Sequence, residues 1–143
     1  HQGTGNVACG FLKGYGIKAG AVALSIAHDS HNIIVVGVSD EEMEFAVNSL
    51  IAQEGGMVLV KEGKVIESMP MPIAGLMSDQ SGEWVDEKLT AIHAKAYEEL
   101  GIAGDVEPVM TLCFMSLAVI PEVKLTDMGL FDVTTFSFIP VEA

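Results

Sequence analysis

Basic residues are scarce in this chain, which carries seven lysines and arginines against 20 aspartates and glutamates. The net charge of −13 repels the phosphates of nucleic acids and the anionic headgroups of lipid surfaces. We therefore expect neither a nucleic acid nor a membrane as a partner.

The sequence also lacks a run of apolar residues long enough to cross a bilayer. The longest stretch, VMTLCFMSLAVIP at residues 109–121, is too short and contains Thr111 and Ser116, so it predicts a buried strand. The opening HQGTGNVACG has neither the basic start nor the apolar core of a signal peptide. We expect the 143 residues to form one domain that is a piece of a longer chain.

Cysteine is rare, with only Cys9 and Cys113 and no CxxC pair. Two isolated cysteines are typical of packing roles in a reducing compartment, which predicts a cytoplasmic location. The sequence alone does not decide whether Cys9 and Cys113 form a disulfide.

The usual short motifs of catalysis are missing. There is no GxSxG, no P-loop, no HxH and no HExxH, and the glycines of residues 3–16 do not follow the GxGxxG spacing. These glycines predict turns around a short strand at residues 7–13 and not a dinucleotide site.

What the sequence does contain is a series of strand patterns interrupted by two helix patterns. We predict an α/β fold with mixed β-sheets packed on about two main helices, sandwich-like and not doubly wound. Strands are expected at residues 7–13, 21–27, 32–38, 57–61, 64–68, 109–119 and 130–139, and helices at 39–54 and 83–100.

The start of the first helix is marked by Ser39 and Glu42, which have capping-box spacing. One apolar stripe is expected to face the core, formed by Met43, Ala46, Val47, Leu50 and Ile51. The run NIIVVGV at residues 32–38 is typical of a strand buried on both faces. The turn Glu62-Gly63 predicts a hairpin. His93, on the second helix, is interpreted as a structural or solvated residue.

Apolar residues make up 50% of the chain and the mean hydropathy is +0.42. This is rich for a free-standing domain, so part of the apolar surface is expected to contact another domain or subunit.

The segment AHDSHN at residues 27–32 is the first candidate site. Imidazoles and a carboxylate can bind a metal, or act as a general base and the group that orients it. His28 and His31 converge only if Asp29 and Ser30 form a tight turn, which these residue types favour. The alternative is that the segment only caps a turn and bonds to the backbone.

Asp127, in LTDMG, is the second candidate, because it could orient a histidine or face a substrate, or equally cap a turn. In MPIAGLMSD at residues 71–79, the apolar side chains are expected to pack and not to bind a cofactor.

Five segments in the same order carry a more specific signal over residues 3–133. GTGN, GFLKGYG, SIAHDSHNIIVVG, MPIAGLMSD and MTLCFMSLAVIPEVKLTDMGLFDV resemble the C-terminal region of bacterial and archaeal adenine deaminases, in the amidohydrolase superfamily. The sequence departs from the family at residues 69–72, where MPMP stands in place of residues that are more often leucine.

The resemblance implies a hydrolase of purine salvage that converts adenine and water to hypoxanthine and ammonia. It also implies that the metal, manganese or iron, belongs to a (β/α)₈ barrel that precedes this region and is absent from this chain. The partners implied are that barrel, adenine and further copies of the enzyme; the isolated chain is expected to bind no metal and to be inactive.

On this basis, His28, Asp29 and His31 are predicted to support catalysis, and Asn32 and Asp127 to contact the substrate. The alternative is a purely structural module for docking or dimerisation, in which the histidines are hydrogen-bonded scaffold. A third hypothesis, a stand-alone metal-binding domain, requires ligands from this chain alone.

Overall fold

The computed structural model describes residues 3–142 of the chain. The elements are β1 (Ala21–Leu24), β2 (Ile34–Gly37), α1 (Asp40–Ala52), β3 (Gly56–Lys61), β4 (Lys64–Pro70), α2 (Gly82–Glu98), α3 (Met110–Cys113), β5 (Val123–Thr126), β6 (Gly129–Asp132) and β7 (Ser137–Ile139).

The strands form two separate antiparallel sheets. The first has four strands in the order β2-β1-β3-β4, and the second is the three-stranded meander β5-β6-β7. Two main helices accompany them, and no barrel exists within residues 3–142. The predicted fold class, α/β and sandwich-like with the barrel absent, is confirmed.

The four-stranded sheet lies between the two long helices because its side chains alternate between two apolar faces. Val22, Leu24 and Leu59 face a cluster that includes Ile92 and Ala96 of α2. The opposite face packs on α1 through a smaller cluster, formed by Ala21, Ala23, Val58, Val60, Ala46 and Leu50. Strands β1 and β3 are therefore the ones buried on both sides.

The prediction that residues 32–38 are buried on both faces is wrong. Strand β2 is an edge strand, and of its residues only Ile34 is buried while the others are half-buried. A run of β-branched residues fits a central strand and a well-packed edge equally, and strand order decides between them.

Three further strand predictions are corrected by the structure. Residues 7–13 form no regular element, and residues 109–119 form the short helix α3 followed by turns. A short apolar run cannot distinguish a buried strand from a buried helical turn. Residues 130–139 divide into β6 and β7, because Asp132 accepts hydrogen bonds from Thr134 and Thr135 in the intervening turn.

The two helices begin where the sequence predicts. Ser39 Oγ accepts from the Glu42 amide at 3.3 Å, although Glu42 Oε2 has no hydrogen-bond partner among the described residues. Within the predicted apolar stripe, Ala46 and Leu50 are buried but Ile51 is exposed. The hairpin at Glu62-Gly63 is confirmed by φ values of 53° and 68°.

The segment before β1 lies over the meander. The Tyr15 hydroxyl donates to the Pro108 carbonyl at 2.7 Å, and burial raises the pKa of this phenol. A Cβ on Gly10 would lie 3.1 Å from Leu130 of β6.

Among residues 3–142, no helix combines the length and apolar character needed to cross a membrane.

Candidate functional site

The connection between β1 and β2 folds into a tight turn that brings the two histidines together. The His31 amide donates to the Ala27 carbonyl at 2.6 Å, and His31 itself has a left-handed φ of 50°. The imidazole ring centroids of His28 and His31 lie 5.7 Å apart at an interplanar angle of 68°. The turn on which the predicted convergence depends is therefore present.

Helix α3 and the turn after it hold His28 in place. Its amide donates to the Cys113 carbonyl at 2.9 Å, and the Ser116 hydroxyl donates to the His28 carbonyl at 3.0 Å. The His28 ring lies 4.9 Å from the ring of Phe114. The half-buried imidazole is thus packed against an aromatic surface.

The His31 side chain lines a surface cavity of about 750 Å³. This volume lies within the range of small-molecule sites. Five parts of the chain meet there: the glycine-rich residues 3–8, the histidine turn with β2, helix α1, the turn after α3, and the end of β5 with the turn that follows it. The polar side chains of the lining are Thr4, Asn6, Ser30, His31, Asn32, Ser116, Thr126 and Asp127, and the apolar ones include Ile34, Val35, Val47 and Leu125.

The cavity brings together three of the five predicted side chains, His31, Asn32 and Asp127. His28 contacts the His31 ring but is not part of the lining, and Asp29 is exposed on the turn. Asp127 comes from the connection between β5 and β6, about 100 residues further along the chain.

One polar atom at this site lacks a partner among residues 3–142. His31 Nδ1 is buried and accepts or donates no hydrogen bond there. Buried polar atoms of this kind are uncommon because each costs about 1–3 kcal/mol. The Asp127 carboxylate and the amide and hydroxyl side chains of the lining suit a ligand that presents both donors and acceptors.

The sequence-based search missed part of the lining, namely Ser116, Thr126 and the wall formed by residues 3–8. The glycines of the GTGN segment, residues 3–6, predict only turns, and nothing in the segment indicates that it lines a cavity. Gly3 and Gly5 do adopt positive φ values, which let this segment bend along the cavity.

The residues described here do not fit a bound metal. Among residues 3–142, no three His, Cys, Asp or Glu side chains come together as possible ligands. Both cysteines are free, Cys9 exposed and Cys113 buried. Burial raises the pKa of the Cys113 thiol to about 11, so the thiol is protonated at neutral pH and is a poor nucleophile.

The MPIAGLMSD segment forms a turn fixed to the same end of the sheet. Ile73 and Met77 exchange two backbone hydrogen bonds of 3.2 Å around Ala74 and Gly75, both at positive φ. Ser25 Oγ donates to the Gly75 carbonyl at 2.5 Å and accepts from the Gly56 amide at 2.8 Å. Met71 packs inside the domain, whereas Ile73 and Met77 are exposed, so whether these two side chains pack against another surface stays a prediction.

Replacing Ser25 with alanine is expected to lower the free energy of unfolding by about 2 kcal/mol, because two partly buried backbone groups lose their partner. Urea unfolding followed by circular dichroism measures the change. Ser78→Ala is the matched control, since Ser78 Oγ accepts only from the exposed Gln80 amide. Equal effects of the two substitutions would show that Ser25 does not fix the turn.

His93 lies outside this site. Its Nε2 is 2.6 Å from Glu107 Oε1, and both side chains are partly exposed. Lys95 and Glu99, four residues apart near the end of the same helix, form an ion pair. Both interactions connect surface groups, in agreement with the structural interpretation of His93.

Comparison with known proteins identifies close relatives. The family described as "Adenine deaminase C-terminal domain" matches residues 1–137. Adenine deaminase 2 of Desulfotalea psychrophila is 74% identical over 143 residues, which are 100% of this chain and 25% of that protein. The adenine deaminase of Halalkalibacterium halodurans is 52% identical over 139 residues, 97% of this chain and 24% of that protein. The adenine deaminase of Ligilactobacillus salivarius is 53% identical over 142 residues, 99% of this chain and 25% of that protein. The chain thus spans about a quarter of the length of the curated relatives that it matches.

Proposed function

This chain belongs to the family of adenine deaminase C-terminal domains, and from that premise we propose that it completes the active site of a longer adenine deaminase. The reaction of that enzyme is the hydrolysis of adenine, in which water replaces the 6-amino group to give hypoxanthine and ammonia. The observation that carries the proposal is the cavity in which His31, Asn32 and Asp127 meet at the surface.

In this proposal the domain covers the substrate pocket of a catalytic barrel. The ring nitrogens and amino group of adenine offer donors and acceptors along one edge. Asp127 can accept a hydrogen bond from such a donor, and the His31 imidazole, which lines the same cavity, can bond to a ring nitrogen or a ring N–H. Ile34, Val35 and Leu125 supply apolar walls that exclude water from the base.

His28 and Asp29 have supporting roles in the same proposal. His28 fixes the orientation of the turn through its contact with the His31 ring, and Asp29 lies on the exposed side of the turn, where it can face the barrel. The metal of the reaction, manganese or iron, is assigned to the barrel, and this domain contributes no ligand to it.

The test uses a joined protein, in which this chain replaces the matching C-terminal quarter of adenine deaminase 2 from D. psychrophila. We expect the joined protein to release ammonia from adenine and this chain alone to release none. A version that ends before this domain should lose at least about 100-fold in kcat/KM, as expected when substrate positioning is lost. If the truncated protein folds and keeps its kcat/KM, the domain does not complete the site.

The second candidate function is a structural module that docks or dimerises. It is favoured by exposed apolar side chains in the segment before β1, among them Val7 and Phe11, which are 85% and 92% exposed. A structural module predicts that truncation lowers the number of subunits in the assembly, beyond the loss of the domain's own mass, while each folded molecule keeps its rate of turnover. Sedimentation velocity together with kcat distinguishes the structural module from the domain that completes the active site.

The cytoplasmic location and the assembly into oligomers stay predictions.

A further inference from the structure

One end of the four-stranded sheet gathers several connections of the chain. Strands β1 and β4 end there, and β2 and β3 begin there, because the strands are antiparallel. The histidine turn, the end of α1 and the Ile73–Met77 turn therefore lie at the same end. Ser25 and Gly55 contact Gly75 directly and so join all three connections.

This end exposes large apolar side chains. Ile33, Ile51, Ile73 and Met77, here called the apolar end, are each between 43% and 58% exposed. Turns at protein surfaces are ordinarily built from polar residues and glycine. The Ile73–Met77 turn is fixed through backbone hydrogen bonds, and the side chains of Ile73 and Met77 point outward. This arrangement is typical of a docking surface.

The Ile73–Met77 turn also contains a strained residue. Ala74 has a φ of 58°, a left-handed conformation that costs a residue with a Cβ free energy. The carbonyl of the adjacent Gly75 is bonded to Ser25, so the fold maintains this conformation. The turn therefore presents Ile73 and Met77 in a fixed position.

We propose that the apolar end packs against the part of a full-length adenine deaminase that precedes this domain. The relatives contain three further quarters of chain, so a covering surface is available in the same polypeptide. Continuity with the histidine turn places the contact beside the cavity. The proposal rests on the proposed function in so far as a catalytic part precedes the domain.

The charges around the apolar end favour this occupant over a second copy of the domain. Asp29, Glu54 and Asp79 are exposed on the connections that form it. Two copies related by symmetry would bring these carboxylates together within a chain that already has a net charge of −13. The expected partner surface has an apolar centre and a basic rim.

Oxidation of Met77 by hydrogen peroxide, measured by mass spectrometry of the peptides, tests this contact. Met77 is 58% exposed in this chain and should oxidise rapidly. In the joined protein we expect the rate to fall at least about tenfold because burial blocks the sulfur. An equal rate in the joined protein and in this chain alone would overturn the proposal.

Two substitutions sharpen the measurement. Ile73→Lys in the joined protein should restore rapid oxidation of Met77 by opening the contact. Val65→Lys is the matched control: Val65 is 45% exposed near the opposite end of β4, and its replacement should leave Met77 protected. Protection that arises in this chain alone as its concentration rises would assign the surface to a second copy and overturn the proposal.

The oxidation measurement is independent of turnover. A joined protein that protects Met77 but whose activity does not require this domain would retain the docking surface and refute the proposed function. A joined protein whose activity requires this domain but whose Met77 stays reactive would support the proposed function and refute the docking surface.

Discussion

Replacement of His31 by alanine in the joined protein is expected to lower kcat/KM for adenine about 10- to 100-fold, because the proposed hydrogen bond between this imidazole and the base is lost. His31 is the predicted residue that both lines the cavity and holds a buried nitrogen without a partner in residues 3–142. Steady-state release of ammonia measures the change.

The same substitution is expected to lower the free energy of unfolding by only about 1 kcal/mol, because the ring contact with His28 is lost but His31 Nδ1 gives up no hydrogen bond within the described residues. His93→Ala is the matched control, because it removes an imidazole from α2 outside the cavity. It should leave kcat/KM unchanged.

A loss of stability with full turnover in the His31 variant would favour the structural module over the supporting role in catalysis. A loss of turnover with the melting temperature preserved would favour the site. The two hypotheses therefore predict opposite patterns in two independent measurements.

Replacement of Gly56 by alanine is expected to destabilise the domain by more than about 3 kcal/mol. Gly56 has a φ of +103°, and a Cβ there would lie 2.0 Å from the Met69 carbonyl oxygen. The obstacle is the backbone of the paired strand β4, which cannot rotate away. Urea unfolding monitored by circular dichroism gives the free energy, and an unfolded variant at zero urea also meets the expectation.

Gly63→Ala is the control for the Gly56 experiment. Gly63 also has a positive φ, +68°, but a Cβ there meets nothing within 4 Å. Its replacement should cost about 1 kcal/mol, the usual cost of alanine against glycine in this conformation. If Gly56→Ala costs no more than Gly63→Ala, the pairing of Gly56 with Pro70 is incorrect.

Local patterns predicted the elements whose cause is local. The Ser39 cap, the start of α2 and the Glu62-Gly63 turn depend on residues within a few positions of each other. Their side-chain period or backbone conformation is written directly in the sequence. For the same reason, the tight turn at residues 28–31 could be expected from Asp29 and Ser30.

Patterns failed where the deciding contact is distant. The apolar run at residues 109–119 fits a strand and a buried helical turn equally, and contacts of α3 with the histidine turn decide for the helix. The outward position of Ile73 and Met77 has the same origin, since Ser25 fixes the Ile73–Met77 turn from 50 residues away.

The sequence by itself determined the family, the α/β class, the acidic surface and the residue types available for a site. Only the tertiary structure decided that His31, Asn32 and Asp127 share one cavity, that β2 is an edge strand, and that apolar side chains collect at one end of the sheet. The physical reason is that composition and periodicity record what each segment prefers, whereas strand order and chain crossings determine which segments meet.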